Sequence, residues 1–327
     1  MTESADSAAA DAAPADAAPA ALAALRRRAA RRLELAGFDA PRGEADALLA
    51  AVLGRSRGEL EVDALMGRGL DPAQAAAVER ALARRARREP LQHLVGRAPF
   101  WDVELAVGPG AFVPRPETEL LVELAAAELR ARIAAGDDHP LAADLGSGTG
   151  AVAIGLARAV PQARVIALEG SAAAWPWLIR NVREHTGPEH GAGVVEPRFG
   201  RIGEAPLARL GEGERLSILV SNPPYIPARN APREPEARDA DPATALYGGE
   251  DGLDVIRLIE RIGRAELVPG AALLLEHDDH QGPEVRALLE AAGWLEAETR
   301  RDLAGRDRVT LARLPGGLPT EGSRPAR

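Results

Sequence analysis

An α/β architecture on a mostly parallel sheet, preceded by an all-helical N-terminal domain, follows from three features of this 327-residue chain. From about residue 114 onward, short apolar runs alternate with amphipathic segments, which sets helices between successive parallel strands. Before residue 90 the apolar residues recur at helical spacing. The last two apolar runs are joined only by Ala304-Gly305-Arg306, too short a link for a parallel crossover. They therefore form an antiparallel hairpin at one edge of the sheet.

The length exceeds the usual single-domain size, so two domains are the natural division. Apolar residues make up 46% and aromatics only 3%, so the cores rest on Leu, Val, Ile and Ala. The absence of cysteine excludes disulfides, thiolate zinc sites and a cysteine nucleophile. A net charge of −9 argues against a protein that coats nucleic acid. The basic side chains are all arginine, which reads as genome composition rather than function. No apolar stretch is long enough to span a bilayer. Residues 1–20 lack the basic start and apolar core of a signal peptide. A cytoplasmic location, away from membranes, is the expectation.

Residues 1–20 are Ala, Asp, Pro and Ser without periodicity and read as a disordered tail. Residues 21–89 read as a helical bundle. Leu22, Leu25, Ala29, Leu33 and Ala36 mark a first helix stopped by Gly37, and Ala45 to Leu53 a second stopped by Gly54. Asp71 caps a third, with Pro72 at its first position, predicted to run through Arg88. Arg26, Arg27, Arg28, Arg31 and Arg32, then Arg80, Arg84, Arg85, Arg87 and Arg88, make this region basic. Such a face can meet an acidic protein or RNA, or simply pair with nearby acids. Residues 90–113 form a β-hairpin connector, in which Phe100 to Val107 alternates like a strand and Gly108-Pro109-Gly110 turns it.

Residues 114–314 form the second, α/β domain. A helix follows Pro116; then come a strand at Ala142, a helix from Ala151, a strand at Val165, a helix from Ala172 and a strand at Val194. The remainder is a strand at Ile218, a helix from Leu253, a strand at Leu273, a helix at Glu284 and the terminal pair near Glu296 and Val309. Between Ile226 and Gly249 lies a long loop rich in Pro, Arg, Glu and Asp, expected to close over a substrate. Residues 315–327 read as a second disordered tail.

The chemistry concentrates at the end of Leu216-Ser217-Ile218-Leu219-Val220, where the chain reads Asn222-Pro223-Pro224-Tyr225. The Asn222 side-chain carbonyl and the Pro223 backbone carbonyl can accept the two hydrogens of a planar NH2 group. Neither proline has an N–H to compete for them, and the fixed proline φ stiffens the turn. With both hydrogens held, the nitrogen lone pair can face an electrophile. The purely structural reading is a proline turn ending a buried strand.

Upstream, Leu141 to Leu145 is followed by Gly146-Ser147-Gly148-Thr149-Gly150 and a helical stretch from Ala151 to Ala159. Strand, glycine turn and helix bring a nucleotide-like ligand against backbone N–H groups. The next strand, Arg164 to Leu168, ends on Glu169, a carboxylate where a ribose diol is bound in this type of fold.

Asp144 to Gly150 together with Asn222-Pro223-Pro224-Tyr225 resembles the S-adenosylmethionine-dependent methyltransferases. The resemblance implies a Rossmann-like, seven-stranded class I methyltransferase domain with an N-terminal helical-bundle domain. Phe112-Val113-Pro114-Arg115-Pro116-Glu117-Thr118-Glu119 closely resembles the signature of the peptide chain release factor N5-glutamine methyltransferases. Pro90 to Gly96, Gly249 to Asp254, Leu275-Glu276-His277 with Gln281-Gly282, and Asp302 to Val309 extend the likeness from about Leu22 to Leu314. It implies methylation of the glutamine side-chain amide in the Gly-Gly-Gln tip of release factors 1 and 2, with S-adenosylmethionine as cofactor, by a monomer.

The same likeness distributes the roles. Asn222, Pro223 and Tyr225 are the catalytic residues; Pro224 and Phe112 join them in holding the glutamine. Asp144, Gly146, Ser147, Gly148, Thr149, Gly150, Glu169, Phe199, Asn222, Arg115 and Glu117 form the cofactor site. The helical domain helps hold the release factor. No general base and no metal are expected, and His277-Asp278-Asp279-His280 reads as four adjacent residues that do not converge on one ion.

Three departures bear on the donor: Glu169 replaces the common aspartate, Phe199-Gly200-Arg201 replaces an aspartate beside adenine, and Trp175-Pro176-Trp177 puts a proline beyond the first turn of a helix begun at Ala172. They predict weaker or rearranged donor binding. The competing reading is an amino-methyltransferase of adenine N6 or guanine N2, whose exocyclic amines are also planar NH2 groups. A further reading is a degenerate methyltransferase that only binds.

Overall fold

The computed structural model describes residues 21–204, 214–232 and 235–316. The expected tail at 1–20 and all but Pro315 and Gly316 of that at 315–327 lie outside them. The chain divides into two compact units, Met1–Val95 and Gly96–Arg327.

The first unit packs α1 (Leu22–Leu35), α2 (Pro41–Leu53), α3 (Arg57–Leu65), α4 (Pro72–Arg85) and α5 (Leu91–Val95). Its core joins Leu22, Leu25, Leu33, Leu48, Leu49, Leu60, Val78 and Leu82. Helix α2 starts earlier than Ala45, with Pro41 in its first turn, and ends on the left-handed Gly54. Helix α3 was missed as a separate element, although Ser56 and Glu59 cap it reciprocally (Glu59 N–H to Ser56 Oγ 3.2 Å, Ser56 N–H to Glu59 Oε2 2.8 Å).

Helix α4 stops at Arg85 rather than continuing through Arg88, which has φ 69°. The reason is tertiary. Arg88 Nη2 donates to Ala36 O and Gly37 O, both at 2.8 Å, satisfying carbonyls at the end of α1. Its guanidinium and that of Arg85 each lie 4.0 Å from the Phe38 ring centroid. Other arginines of the basic face pair within the bundle: Arg26 with Asp46, Arg28 and Arg32 with Glu79, Arg85 with Glu44.

The second unit opens with a hairpin of β1 (Arg97–Phe100) and β2 (Val103–Ala106), paired antiparallel from Arg97↔Ala106 to Phe100↔Val103. Phe100 to Val107 is therefore not one strand. Trp101, at φ 56°, and Asp102 turn the chain, and Asp102 is held by two 2.6 Å bonds from Arg158.

A 3-10 turn at Pro116–Thr118 leads into α6 (Glu119–Ala134). Then come β3 (Leu141–Leu145), α7 (Ala151–Ala159), β4 (Arg164–Glu169), α8 (Trp175–His185), β5 (Val194–Phe199) and β6 (Leu216–Ser221). Short α9 (Pro235–Ala240) and α10 (Ala243–Leu246) precede α11 (Asp254–Glu266), β7 (Leu267–Glu276), α12 (Gly282–Ala291), β8 (Leu295–Arg301) and β9 (Asp307–Arg313). Two expectations are corrected. Helix α8 begins at Trp175, so Pro176 falls in its first turn, where proline is tolerated. The segment from Ile226 to Gly249 is not plain loop: it carries α9, α10 and a parallel bridge between Ile226 and Tyr247.

The seven strands run in the order β5-β4-β3-β6-β7-β9-β8. The first five are parallel, and β9 pairs antiparallel with both β7 and β8. The central strands β3 and β6 are buried along their whole length, with apolar clusters on both sheet faces.

Candidate functional site

Strand order reverses between β3 and β6, so the loops leaving their carboxyl ends diverge and open a crevice. The two sequence motifs fill those loops. Asp144 lies opposite Val220, and the Ser221 hydroxyl donates to Leu145 O at 2.6 Å, locking the strand ends together.

On the β3 side, the N–H groups of Gly146 and Ser147 both donate to Leu168 O at 2.9 Å, and Gly150 N–H to Ser147 O at 2.7 Å. Gly146, Gly148 and Gly150 have φ of 78°, 57° and 89°, so this turn demands glycine. Asp144 is buried; its carboxylate accepts from Ala153 N–H at 3.2 Å in the first turn of α7. Burial pushes it up to about 7.

Glu169 reaches the same turn: Oε2 accepts from Gly148 N–H at 2.8 Å and Oε1 from Ser171 N–H at 2.5 Å. Burial raises this carboxyl, against those hydrogen bonds. Trp175 meets Phe199 edge-on, with centroids 5.4 Å apart, and leaves Phe199 55% exposed. Arg201 is exposed. These residues fit a nucleoside-bearing donor. A Cβ at Gly148 would meet nothing within 4 Å, Glu169 keeps lone pairs for a diol, and Phe199 offers an exposed ring.

The second loop is held from several sides. Asn222 Nδ2 donates to the buried Thr118 hydroxyl at 3.2 Å, which turns Oδ1 the other way. Among the described residues no backbone N–H bonds the Pro223 carbonyl. Gln281 Nε2 donates to Tyr225 O at 3.0 Å, and Ile226 N–H to Leu246 O at 2.8 Å. Gly248 is required by packing, since a Cβ there would sit 2.5 Å from the Pro224 and Gly252 carbonyl oxygens. Burial and the Glu276 charge push the Tyr225 hydroxyl up, so it stays protonated.

The Phe112–Glu119 segment runs beside this loop. The Arg115 guanidinium lies 5.3 Å from the Phe112 ring centroid and pairs at 3.3 Å with Asp241, a buried residue between α9 and α10. Glu117 pairs with Arg306 at 2.9 Å, and Arg306 and Arg308 both reach Asp302. The β8–β9 turn and the long segment after Tyr225 thereby hold the two ends of this stretch. His277 is buried, with Nε2 2.8 Å from the Thr310 hydroxyl and Nδ1 2.9 Å from Asp278 O. The expected lack of convergence holds only for His277: one side-chain donor atom from each of Asp278, Asp279 and His280 lies within 4.8 Å of the others.

Three side chains were given no site role by sequence reasoning. Asn181 is fully buried in α8: Nδ2 donates to Ala106 O and Thr149 O, both at 2.9 Å, and Oδ1 accepts from Ala106 N–H at 2.7 Å. It ties β2 to the glycine turn; its signal was an amide on an apolar helix face between Leu178 and Val182. Gln281 and Glu276 lay within matched segments, but nothing in the sequence showed them converging on Asn222-Pro223-Pro224-Tyr225.

A reversed-order seven-stranded sheet with an antiparallel edge hairpin, a glycine turn and an Asn-Pro-Pro-Tyr turn defines a class I methyltransferase domain. The family model described as PrmC N-terminal domain matches residues 24–96. The release factor glutamine methyltransferase of Streptomyces coelicolor is 42% identical over 287 residues, covering 87% of this chain and 95% of that protein. That of Deinococcus radiodurans is 42% identical over 290 residues, 88% of this chain and 97% of the relative. A solved release factor-specific protein-(glutamine-N5) methyltransferase from Alicyclobacillus acidocaldarius is 26% identical, with a TM-score of 0.37, covering 64% of this chain and 99% of that one. On the strength of the full-length relatives, the chain belongs to the release factor glutamine methyltransferase family.

Proposed function

We propose that this protein transfers a methyl group from S-adenosylmethionine to the side-chain amide nitrogen, N5, of the glutamine in the Gly-Gly-Gln tip of release factors. The observation that carries the reading is the Asn222 carboxamide, whose NH2 is committed to Thr118 so that Oδ1 is left to accept. Family membership over nearly the whole length of the relatives supplies the substrate class.

When bound, S-adenosylmethionine supplies an electrophilic methyl group on a sulfonium. Asn222 Oδ1 and the Pro223 carbonyl accept the two N–H bonds of the glutamine amide and favour the positive charge that develops on nitrogen. Holding both hydrogens fixes the amide plane and leaves the nitrogen lone pair as the face open to an electrophile. Tyr225, Pro224 and Phe112 wall the glutamine side chain. After transfer one amide proton leaves to water. Asp144 and Gly146 to Gly150 would cradle the donor, with Glu169 accepting from its ribose and Phe199 lining its base. Arg115 and Glu117 shape the rim through Asp241 and Arg306.

The helical unit is the recognition module for the release factor, whether release factor 1 or 2, and the enzyme works as a cytoplasmic monomer. Among the described residues no helix is long and apolar enough to cross a membrane. The test offers release factor 1, release factor 2, their Gln→Ala forms and RNA to the enzyme with labelled donor. Label on the wild-type factors alone is the expected result; label on RNA alone overturns the assignment.

A further inference from the structure

Glu276 ends β7 one residue beyond Leu275, which pairs with Ser221; extending that register by one residue sets Glu276 beside Asn222. The carboxyl is 2% exposed, and its Oε2 has no hydrogen-bond partner. A buried group of this kind calls for a reason. Among the described residues no ion pair reaches it: Arg308, whose charge it feels, directs Nη2 to Asp302 and Nη1 to His277 O instead.

We infer that Glu276 is a positioning residue, which in its ionised form fixes the Asn222 carboxamide with NH2 inward and Oδ1 toward the substrate amide. An ionised carboxylate only accepts, so it draws the Asn222 NH2 and the Thr118 hydroxyl and rejects Oδ1. A protonated Glu276 can donate, and then tolerates the amide turned over. The flipped Asn222 presents two donors to a substrate nitrogen that itself carries two hydrogens.

The surroundings set where the switch falls. Burial drives Glu276 up to about 7, opposed by hydrogen bonding to Thr118, by the Arg308 charge on β9 and by Asn222, and reinforced by the Glu117 carboxylate. The Tyr225 hydroxyl, which also feels the Glu276 charge, stays protonated through this range.

The inference rests on the function proposed above, and the test separates the two. Initial rates on release factor are measured from pH 6 to 8 for wild type, Glu276→Gln, Thr118→Val and Asn222→Ala, with donor affinity by calorimetry. For the wild type, kcat rises about tenfold across that range as Glu276 ionises. Glu276→Gln, which can donate to Oδ1, lowers kcat at pH 8 by roughly tenfold to a hundredfold and flattens the profile, with donor affinity unchanged. Thr118→Val lowers kcat but keeps the slope, because Glu276 remains. Glu276→Gln with wild-type kcat and slope overturns the inference while Asn222→Ala stays inactive. A wild type that leaves the release factor unlabelled overturns both readings.

Discussion

Asn222 Nδ2 and Thr118 Oγ1 lie 3.2 Å apart across 104 positions of sequence, joining the end of β6 to the turn before α6. An asparagine at the end of a strand is free to rotate; this one is anchored by its amide nitrogen. Converting a side chain with two equivalent-looking ends into a one-sided acceptor is what the reaction requires. Asn222→Ala should therefore lower kcat by about a hundredfold to a thousandfold, the scale for losing one preorganised polar contact. Single-turnover rates at saturating donor check it, with calorimetry separating this loss from any loss of donor binding.

Glu169 bonds both Gly148 and Ser171, so its removal frees the turn as well as a ribose acceptor. Glu169→Ala is expected to weaken donor binding at least roughly tenfold, the value of one charge-assisted hydrogen bond or more. An unchanged dissociation constant would show that the carboxylate holds only the loop.

Arg115 and Asp241 couple the Phe112–Glu119 segment to the stretch after the catalytic turn. Asp241→Asn should raise KM for the release factor several-fold while leaving donor affinity in place. Equal changes in both would place this pair on the donor side.

Asp144 shows how burial shapes the pH dependence of stability. Its folded value, about 7, lies above that of an unfolded aspartate. The neutral form is thus favoured by folding, a contribution fully present below the unfolded pKa and lost as pH rises through 7. Asp144→Asn keeps an acceptor for Ala153 N–H without the buried charge. Its melting temperature should exceed wild type at pH 8, by an amount equivalent to about 1–4 kcal/mol, and the gap should narrow at pH 5.5. A gap independent of pH refutes this.

Asn181 satisfies three backbone groups at once. Asn181→Leu leaves them buried and unpaired, at a cost of about 2–4 kcal/mol. Chemical denaturation measures it directly.

Sequence by itself determined the order of helices and strands, the glycine turn and the acceptor turn, because each is written in local patterns: alternation, caps, glycine and proline chemistry. The Ser56–Glu59 cap of α3 was a local signal left unread; other errors fell where a distant partner overrides a local signal. Arg88 leaves α4 because the end of α1 offers carbonyls, and Phe100 to Val107 bends because Arg158 holds Asp102. Only the tertiary structure decided that β6 lies between β3 and β7, and with that which side chains flank Asn222. Strand pairing is a long-range choice settled by burying both faces of one sheet, so the register that sets Glu276 beside Asn222 leaves no mark in either segment alone.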